Sequence, residues 1–203
     1  IYEQMGEQVK SVKKDLAANT NKQWVVAYWH HPPYTKGSHD SDDEGLLGKI
    51  RENFIKVLED NGVDLILCGH SHVYERSKMM KGYFGKEADF DAAKYNVSNS
   101  TGLYDGSKNS SPYIKNKKNP LGVVYVVAGS AGAQGGHKAT WPHDAMYYSN
   151  NEIGGAVMLE VQGNKLDLKW ICADGQIRDH FTMMKDLTPQ DEKTLKQDKK
   201  LAK

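Results

Sequence analysis

Histidines follow two short apolar stretches of the sequence, and imidazole is the side chain that most often binds transition metals. His30 follows Trp24–Trp29, while His70 and His72 follow Val63–Cys68 after a single glycine. On an extended backbone, residues two apart point to the same side, so His70 and His72 are spaced to serve one metal ion or two adjacent ions. Three imidazoles favour Zn, Fe, Ni or Cu over Mg or Ca.

A strand, a helix and a second strand would bring these histidines together. Trp24–Trp29 and Val63–Cys68 are short, continuous apolar runs, which are typical of strands buried on both faces. Between them, apolar residues recur at helical spacing from Leu46 to Leu58. In a βαβ unit with a right-handed crossover, both strands end at the same edge of a parallel sheet. We therefore expect the histidines at that edge, where open α/β sheets bind ligands.

The remaining periodic segments predict a mixed α/β domain of the α+β layered type. An amphipathic helix is expected from Tyr2 to Ala18, and a buried strand from Gly122 to Ala128. Ala156–Lys185 contains three apolar runs joined by Gly-Asn and Asp-Gly, the sequences of tight hairpin turns. The domain is therefore expected to end in an antiparallel meander.

Two segments do not fit this pattern. Residues 78–120 are rich in Lys, Asn, Ser and Gly without a period, so we expect a long, poorly ordered loop insertion. Residues 188–203 are mostly Lys, Asp and Gln, which predicts a solvated helical tail. These features predict a single domain over residues 1–187.

Composition and charge exclude several kinds of partner. The 27 Lys and Arg residues are balanced by 26 Asp and Glu, so the chain has no net basic field to attract nucleic acid. The longest apolar runs are strand-sized and too short for a membrane span. Cys68 and Cys172 each lie in an apolar run, which predicts two buried thiols.

Two blocks of the sequence resemble a known enzyme family. Trp29–Tyr34 (Trp-His-His-Pro-Pro-Tyr) and Gly69–Arg76 (Gly-His-Ser-His-Val-Tyr-Glu-Arg) resemble the last two metal-binding blocks of the calcineurin-like metallophosphoesterases, in the purple acid phosphatase branch. Residues 154–185 resemble the closing strands of bacterial members. The resemblance implies a β-sandwich flanked by helices, of which this chain would form the C-terminal half, with a dinuclear metal centre.

The resemblance also implies a role for each histidine of the motifs. His30 and His70 would bind one metal ion and His72 the other, the pair being Fe with Zn, Mn or Fe. His39 lies in the loop after His30, about where the branch carries a substrate-facing histidine, and would contact the phosphate or protonate the leaving group. A solvated histidine in an acidic loop is the alternative for His39. Two orientations are open for His31: its ring turns toward the site as well, or the two prolines that follow it fix the ring outward, and His30 is the better match to the motif.

The residues after His72 would support the site. By the resemblance, Tyr74, Glu75 and Arg76 would orient metal ligands or hold the end of a strand. A plain Glu75–Arg76 ion pair at the sheet edge is the alternative.

The implied activity is the hydrolysis of phosphate monoesters by metal-activated water. The family's earlier blocks, which carry Asp, Asn and His ligands, would precede His30, but Ile1–Trp29 contains none of them. We therefore expect a fragment whose partner is the missing N-terminal half of the same domain, and which is inactive alone. Family resemblance favours a secreted or periplasmic protein.

Two other functions remain open at this point. The chain could be a non-catalytic binding module in which His30, His70 and His72 hold one metal ion. It could also be a metal-free sheet protein whose histidines have no ligand.

Overall fold

The computed structural model describes residues 6–107, 109–116 and 120–201 of the protein. Its helices are α1 (Glu7–Ala18), α2 (Gly45–Ile50), α3 (Lys56–Asp60), α4 (Ala92–Tyr95) and α5 (Pro189–Leu201), with a π-helical turn at Arg51–Ile55 and a 3-10 turn at Glu87–Asp89. Its strands are β1 (Val26–Tyr28), β2 (Leu65–Cys68), β3 (Tyr74–Ser77), β4 (Tyr113–Lys115), β5 (Val124–Ala128), β6 (Met146–Asn150), β7 (Gly155–Gln162), β8 (Lys165–Cys172) and β9 (Ile177–Lys185).

A large mixed sheet has the strand order β1-β2-β5-β3-β6. Its β1 and β2 are parallel, with Val26 opposite Leu65, and the helical segment from Gly45 to Asp60 connects them. The predicted βαβ unit is therefore confirmed, although β1 is shorter than the apolar run that predicted it. Strand β5 adds parallel to β2, and β3 and β6 add antiparallel.

A small sheet has the order β4-β9-β8-β7 and contains the predicted meander. Strands β7, β8 and β9 pair antiparallel, and the turns between them contain Gly163 and Gly175, both with positive φ. Glycine adopts this backbone conformation without steric cost, which explains why these two positions turn the chain.

Two apolar cores lie on opposite faces of the large sheet. Leu65 contributes to the core that packs against Trp170 of the small sheet, whereas Ile66 contributes to the core that contains Ile55 and Leu58 of the helical segment. Successive side chains of a strand point to opposite faces, so one strand serves both cores. The result is a sandwich of two sheets with helices on the outer face of the large sheet, which confirms the layered α/β class.

The expectation of poor order in residues 78–120 is wrong for the described part of that segment. Met80 pairs with Val123, and Tyr83 and Tyr113 are almost fully buried. Strand β4 adds to the small sheet parallel to β9. The segment packs through scattered apolar side chains, which have no period that a sequence pattern could reveal.

The structure bears on two smaller predictions. The expected opening helix is confirmed from Glu7, and residues 2–5 of that prediction lie outside the described residues. Cys68 and Cys172 are buried free thiols, as expected.

The division into a domain over residues 1–187 and a tail stays a prediction. The charged tail is helical as expected, and it contacts the domain, because the Tyr104 hydroxyl donates to Asp198 at 2.7 Å.

Candidate metal-binding site

His30 and His70 meet at the carboxyl edge of β1 and β2, as the sequence predicts. His30 Nε2 lies 3.2 Å from His70 Nδ1. The Gly69 amide donates to the His30 carbonyl at 3.0 Å, which ties the loop after β2 to the loop after β1. The two rings are thus brought together by hydrogen bonding of the backbone that carries them.

His31 also faces this cluster, which is the inward one of the two orientations that the sequence leaves open. Its ring centroid lies 4.5 Å from that of His70 and 4.9 Å from that of His30. The chain leaves β1 after Tyr28, so the alternation of a strand no longer separates two consecutive side chains. His30, His31 and His70 each offer a nitrogen within 4.8 Å of the others, and we call them the histidine cluster.

Glu44 and His39 lie on the opposite side of the His70 ring. Glu44 Oε1 is 2.7 Å from His39 Nδ1, and Glu44 Oε2 is 3.5 Å from His70 Nε2. The His39 ring packs on the His70 ring with centroids 3.7 Å apart. Sequence reasoning missed Glu44, although a carboxylate at the start of a helix, five residues after His39, was a usable signal.

His72 does not join either group. His70 has a φ of +62°, so the backbone is not extended there and the argument that directs both rings to the same side does not apply. The His72 side chain is exposed, and its backbone amide donates to Ser38 Oγ at 2.9 Å. The implied assignment of His72 to a second metal ion stays a prediction.

Burial and repulsion between imidazoles favour the neutral forms of His31 and His70. Burial lowers the pKa of His31, and neighbouring His30 lowers it further. Burial also lowers the pKa of His70, with further contributions from His39 and His31. For Glu44, burial acts to raise the pKa, but the contacts with His39, the Asp40 amide and His70 together lower it. The site thus offers uncharged ring nitrogens beside a carboxylate, the protonation states that bind a metal ion.

Comparison with known proteins agrees with the motif resemblance. Residues 3–74 match the sequence model of the calcineurin-like phosphoesterase family. The resemblance to this family is confirmed. Purple acid phosphatase 15 of Arabidopsis thaliana is 34% identical over 85 residues, which are 40% of this chain and 15% of that protein. Acid phosphatase type 7 of Danio rerio is 23% identical over 177 residues, which are 80% of this chain and 35% of that protein.

The fold agrees with a solved purple acid phosphatase. The enzyme PPD1 from yellow lupin (Lupinus luteus) superposes with a TM-score of 0.65 at 20% identity, covering 94% of this chain and 30% of that one. This chain therefore spans about a third or less of these relatives. None of the helices in the described ranges is long and apolar enough to cross a membrane.

The donors in the described residues fit one metal ion and do not fit a dinuclear centre, although calcineurin-like phosphoesterases and purple acid phosphatases are dinuclear metal enzymes. Glu44 approaches the far side of the His70 ring and does not lie between two sets of imidazoles. In the described part of the chain, the metal-competent groups comprise the histidine cluster and the set His39, Glu44 and His70. One carboxylate among neutral imidazoles does not offset the charge of two divalent ions.

The Tyr-Glu-Arg sequence of β3 makes polar contacts on both faces of the large sheet. Arg76 forms a two-pronged ion pair with Asp179 of β9, with Nε–Oδ2 and Nη2–Oδ1 distances of 2.6 and 2.8 Å. Tyr74 donates to the same carboxylate at 2.8 Å. Glu75 points to the other face, so the alternative of a Glu75–Arg76 ion pair is wrong. Strand alternation separates the two charges.

Glu75 fixes the loop that carries His39. Its carboxyl group accepts hydrogen bonds from the Thr35 hydroxyl and, at 3.3 Å, from the Lys36 amide. Burial raises its pKa to about 8. Glu75 therefore positions the loop without adding a negative charge near neutral pH.

A group of buried charges, which we call the loop charge cluster, lies beneath the same loop. Lys36 Nζ is 2.8 Å from Asp40 and 3.3 Å from Glu87, and Arg51 Nη1 is 3.0 Å from Asp42. These contacts join the loop to the helical segment and to the 3-10 turn. The rim of the site is therefore held by ion pairs from three separate parts of the chain.

Proposed function

We propose that this chain supplies part of the active site of a metal-dependent phosphoesterase that hydrolyses phosphate monoesters. The observation that supports this most is the meeting of His30 and His70 at 3.2 Å, at the end of two parallel strands, within a chain whose motifs resemble calcineurin-like phosphoesterases. Purple acid phosphatase relatives favour the acid phosphatase type of reaction. We further propose that the metal pair is Fe with Zn, Mn or Fe. We also propose that the protein is secreted or periplasmic.

His39 is the residue that we propose to act on the leaving group. Its Nδ1 is held by Glu44 at 2.7 Å, and its side chain is partly exposed. The contact with Glu44 orients the ring, and its other nitrogen is the atom that would deliver a proton to a departing alkoxide or phenoxide. The packing of His39 on His70 sets this proton donor beside the candidate metal ligands.

We propose that the remaining ligands come from a partner segment, the N-terminal half of the same domain. Among the described residues, β1 is an edge strand with no neighbour on its outer side, and Tyr28 on it is 81% exposed. A groove of about 730 Å³, lined by α1, β1, His30 and His31, runs beside that edge. A segment that extends the sheet there could bring carboxylates to the histidines, and without it the chain would be inactive.

An assay with an aryl phosphate in the presence of Fe, Zn or Mn tests this proposal. The chain alone should give no turnover, whereas the chain joined to a segment carrying the Asp, Asn and His blocks should hydrolyse the ester. In that active form, His39→Ala should lower kcat about a hundredfold or more, the usual contribution of a general acid. Turnover by the chain alone that disappears in His72→Ala would contradict the requirement for a partner.

A non-catalytic metal-binding module is the second candidate function. The close approach of three imidazoles in the histidine cluster favours it, because these donors can hold an ion without any further segment. Inactivity of the joined form, together with retained metal binding, would favour this function.

A further inference from the structure

We propose that the rings of His137 and Trp141 form a stacking surface for the leaving group of the substrate, and that this surface favours phosphate esters of phenols over those of alkyl alcohols. The inference rests on the proposed function and deepens it, because it names the class of leaving group. It also gives a role to residues 129–141, which we call the glycine-rich segment and to which the motif resemblance assigns none.

The glycine-rich segment lies against both loops that carry the candidate site. The Gly135 amide donates to the His72 carbonyl at 2.7 Å. A Cβ atom at Gly135 would lie 2.7 Å from Ser38 Cβ and 3.0 Å from His72 Cβ, so the backbone packs directly on both side chains. Ser38 precedes His39, the proposed proton donor to the leaving group. The segment therefore borders the place from which a leaving group would project.

Lys138 fixes the two rings to each other and to the loop that carries His39. Its amide donates to the Lys36 carbonyl at 2.9 Å. Its carbonyl accepts hydrogen bonds from His137 Nδ1 at 2.9 Å and from the Trp141 amide at 3.2 Å. The ring pair is thus held in place by the backbone before any substrate binds, which reduces the ordering cost of binding.

The geometry of the pair leaves one side for a third ring. The centroids of His137 and Trp141 are 5.7 Å apart, with an angle of 27° between the ring planes, which is a stacked arrangement. The His137 side chain is exposed, whereas Trp141 is half-buried. The pair therefore presents its imidazole to solvent with the indole behind it, and a planar ring can extend the stack.

The glycine-rich segment leaves room for such a ring. A Cβ atom at Gly132 or Gly136 would meet no atom of the described residues within 4 Å. The segment also carries only small side chains at Ala131, Ala133 and Ala139. An alkyl group would fit this space as well, but it lacks the π-system that aromatic rings recognise. We therefore expect discrimination by stacking and not by size.

Titration of the full chain with phenylphosphonate and with cyclohexylphosphonate, followed by NMR, tests the stacking surface. The two compounds carry rings of the same carbon number, and their phosphorus–carbon bonds resist hydrolysis. We expect phenylphosphonate to bind about threefold to tenfold more tightly, as reported by the His137 ring and the Trp141 indole N–H. Equal affinity for the two compounds in the unmodified chain would overturn the proposal.

Variants locate the preference on the ring pair. His137→Ala should abolish it, and the fold should persist because the His137 side chain is exposed. The matched control His180→Ala removes a histidine of β9 and should retain the preference. A preference for phenylphosphonate that survives in His137→Ala would contradict the assignment.

Kinetics of the active, joined form provide a second readout. Trp141→Ala should raise KM for phenyl phosphate about threefold to tenfold and act on KM more than on kcat, because stacking holds the ring equally in the ground state and the transition state. Trp141→Phe should restore most of this loss. An equal rise in KM for methyl phosphate would count against stacking. The phosphonate titration needs no turnover, so this inference and the proposed function can fail independently.

Discussion

Two groups of buried charges on opposite faces of β3 differ in how completely they are paired. Between the sheets, Arg76 is bonded to both oxygens of Asp179 and donates to the Thr101 carbonyl at 3.0 Å. In and beside the loop charge cluster, Arg51 Nε and His143 Nε2 are buried without a hydrogen-bond partner among the described residues. In the first group the guanidinium and the carboxylate bond to each other at two points, whereas the second contains a buried guanidinium and a buried imidazole with an unbonded nitrogen each.

The difference separates a permanent connection from one that responds to pH. An arginine guanidinium keeps its charge throughout the range in which proteins work. His143 is fully buried beside the charges that anchor the His39 loop, and burial lowers its pKa to about 4. We therefore expect mild acid to leave the Arg76–Asp179 connection between the sheets unchanged. We expect it to destabilise the loop charge cluster beneath the site.

Removing one partner of the inter-sheet pair should have the largest effect. Arg76→Met leaves the Asp179 carboxylate buried without its counter-charge, which should lower the free energy of unfolding by about 3–5 kcal/mol. Urea denaturation at neutral pH measures this loss. The double variant Arg76→Met/Asp179→Leu should recover part of it. A loss that is as large in the double variant as in the single one would show that packing, and not charge, dominates.

Acid should reveal the contribution of His143. Its pKa is about 4 in the folded protein against 6.5 for an unperturbed histidine, so the unfolded chain takes up the proton first as the pH falls. The stability is therefore full above about pH 6.5 and declines toward pH 4, by about 3 kcal/mol in total. Urea midpoints from pH 7 to pH 4 should show a shallower decline in His143→Asn. Equal slopes in the two proteins would contradict this assignment.

A smaller change to the inter-sheet group should follow from removing a single hydroxyl. Tyr74→Phe deletes the hydrogen bond to Asp179 but leaves both Arg76 contacts and the ring packing on Trp170. We expect a loss of about 1–2 kcal/mol in the free energy of unfolding, because the acceptor is charged. A loss as large as that of Arg76→Met would mean that the hydroxyl sets the geometry of the whole group.

The smallest effect on the free energy of unfolding is expected at an exposed Arg–Asp ion pair. Arg178 contacts both oxygens of Asp174 at 2.6 and 2.7 Å, at the turn before β9. Solvent screens this pair, so Arg178→Ala should leave the urea midpoint unchanged. This variant is the control for Arg76→Met, because it removes an equally well-aligned guanidinium from a position in water. A clear destabilisation would show that alignment matters more than burial.

Patterns with a regular period predicted the fold well. The βαβ unit and the meander follow from runs such as Trp24–Trp29 and from turn residues such as Gly163 and Gly175, whose signals are local in the sequence. The packing of Tyr83 and Tyr113 could not be predicted in this way. Their burial depends on contacts with distant segments, which leave no local period.

The candidate site was predicted only in part, for reasons of backbone geometry. The meeting of His30 and His70 follows from the topology of parallel strands. The same reasoning left the orientation of His31 open, and it expected the His70 and His72 rings on one side because it treated the backbone after β2 as extended. The left-handed conformation of His70 and the departure of the chain from β1 after Tyr28 depend on tertiary hydrogen bonds, which the sequence does not display.

The left-handed backbone of His70 has a consequence for how this sequence would change over generations. A side chain in that conformation costs the fold about 1–3 kcal/mol, and glycine at the same position would avoid the cost. A lineage selected only for a stable fold would therefore replace His70 by glycine or asparagine. Its persistence in descendants would be a record of selection on the imidazole itself, and its loss would mark a lineage that no longer uses the site.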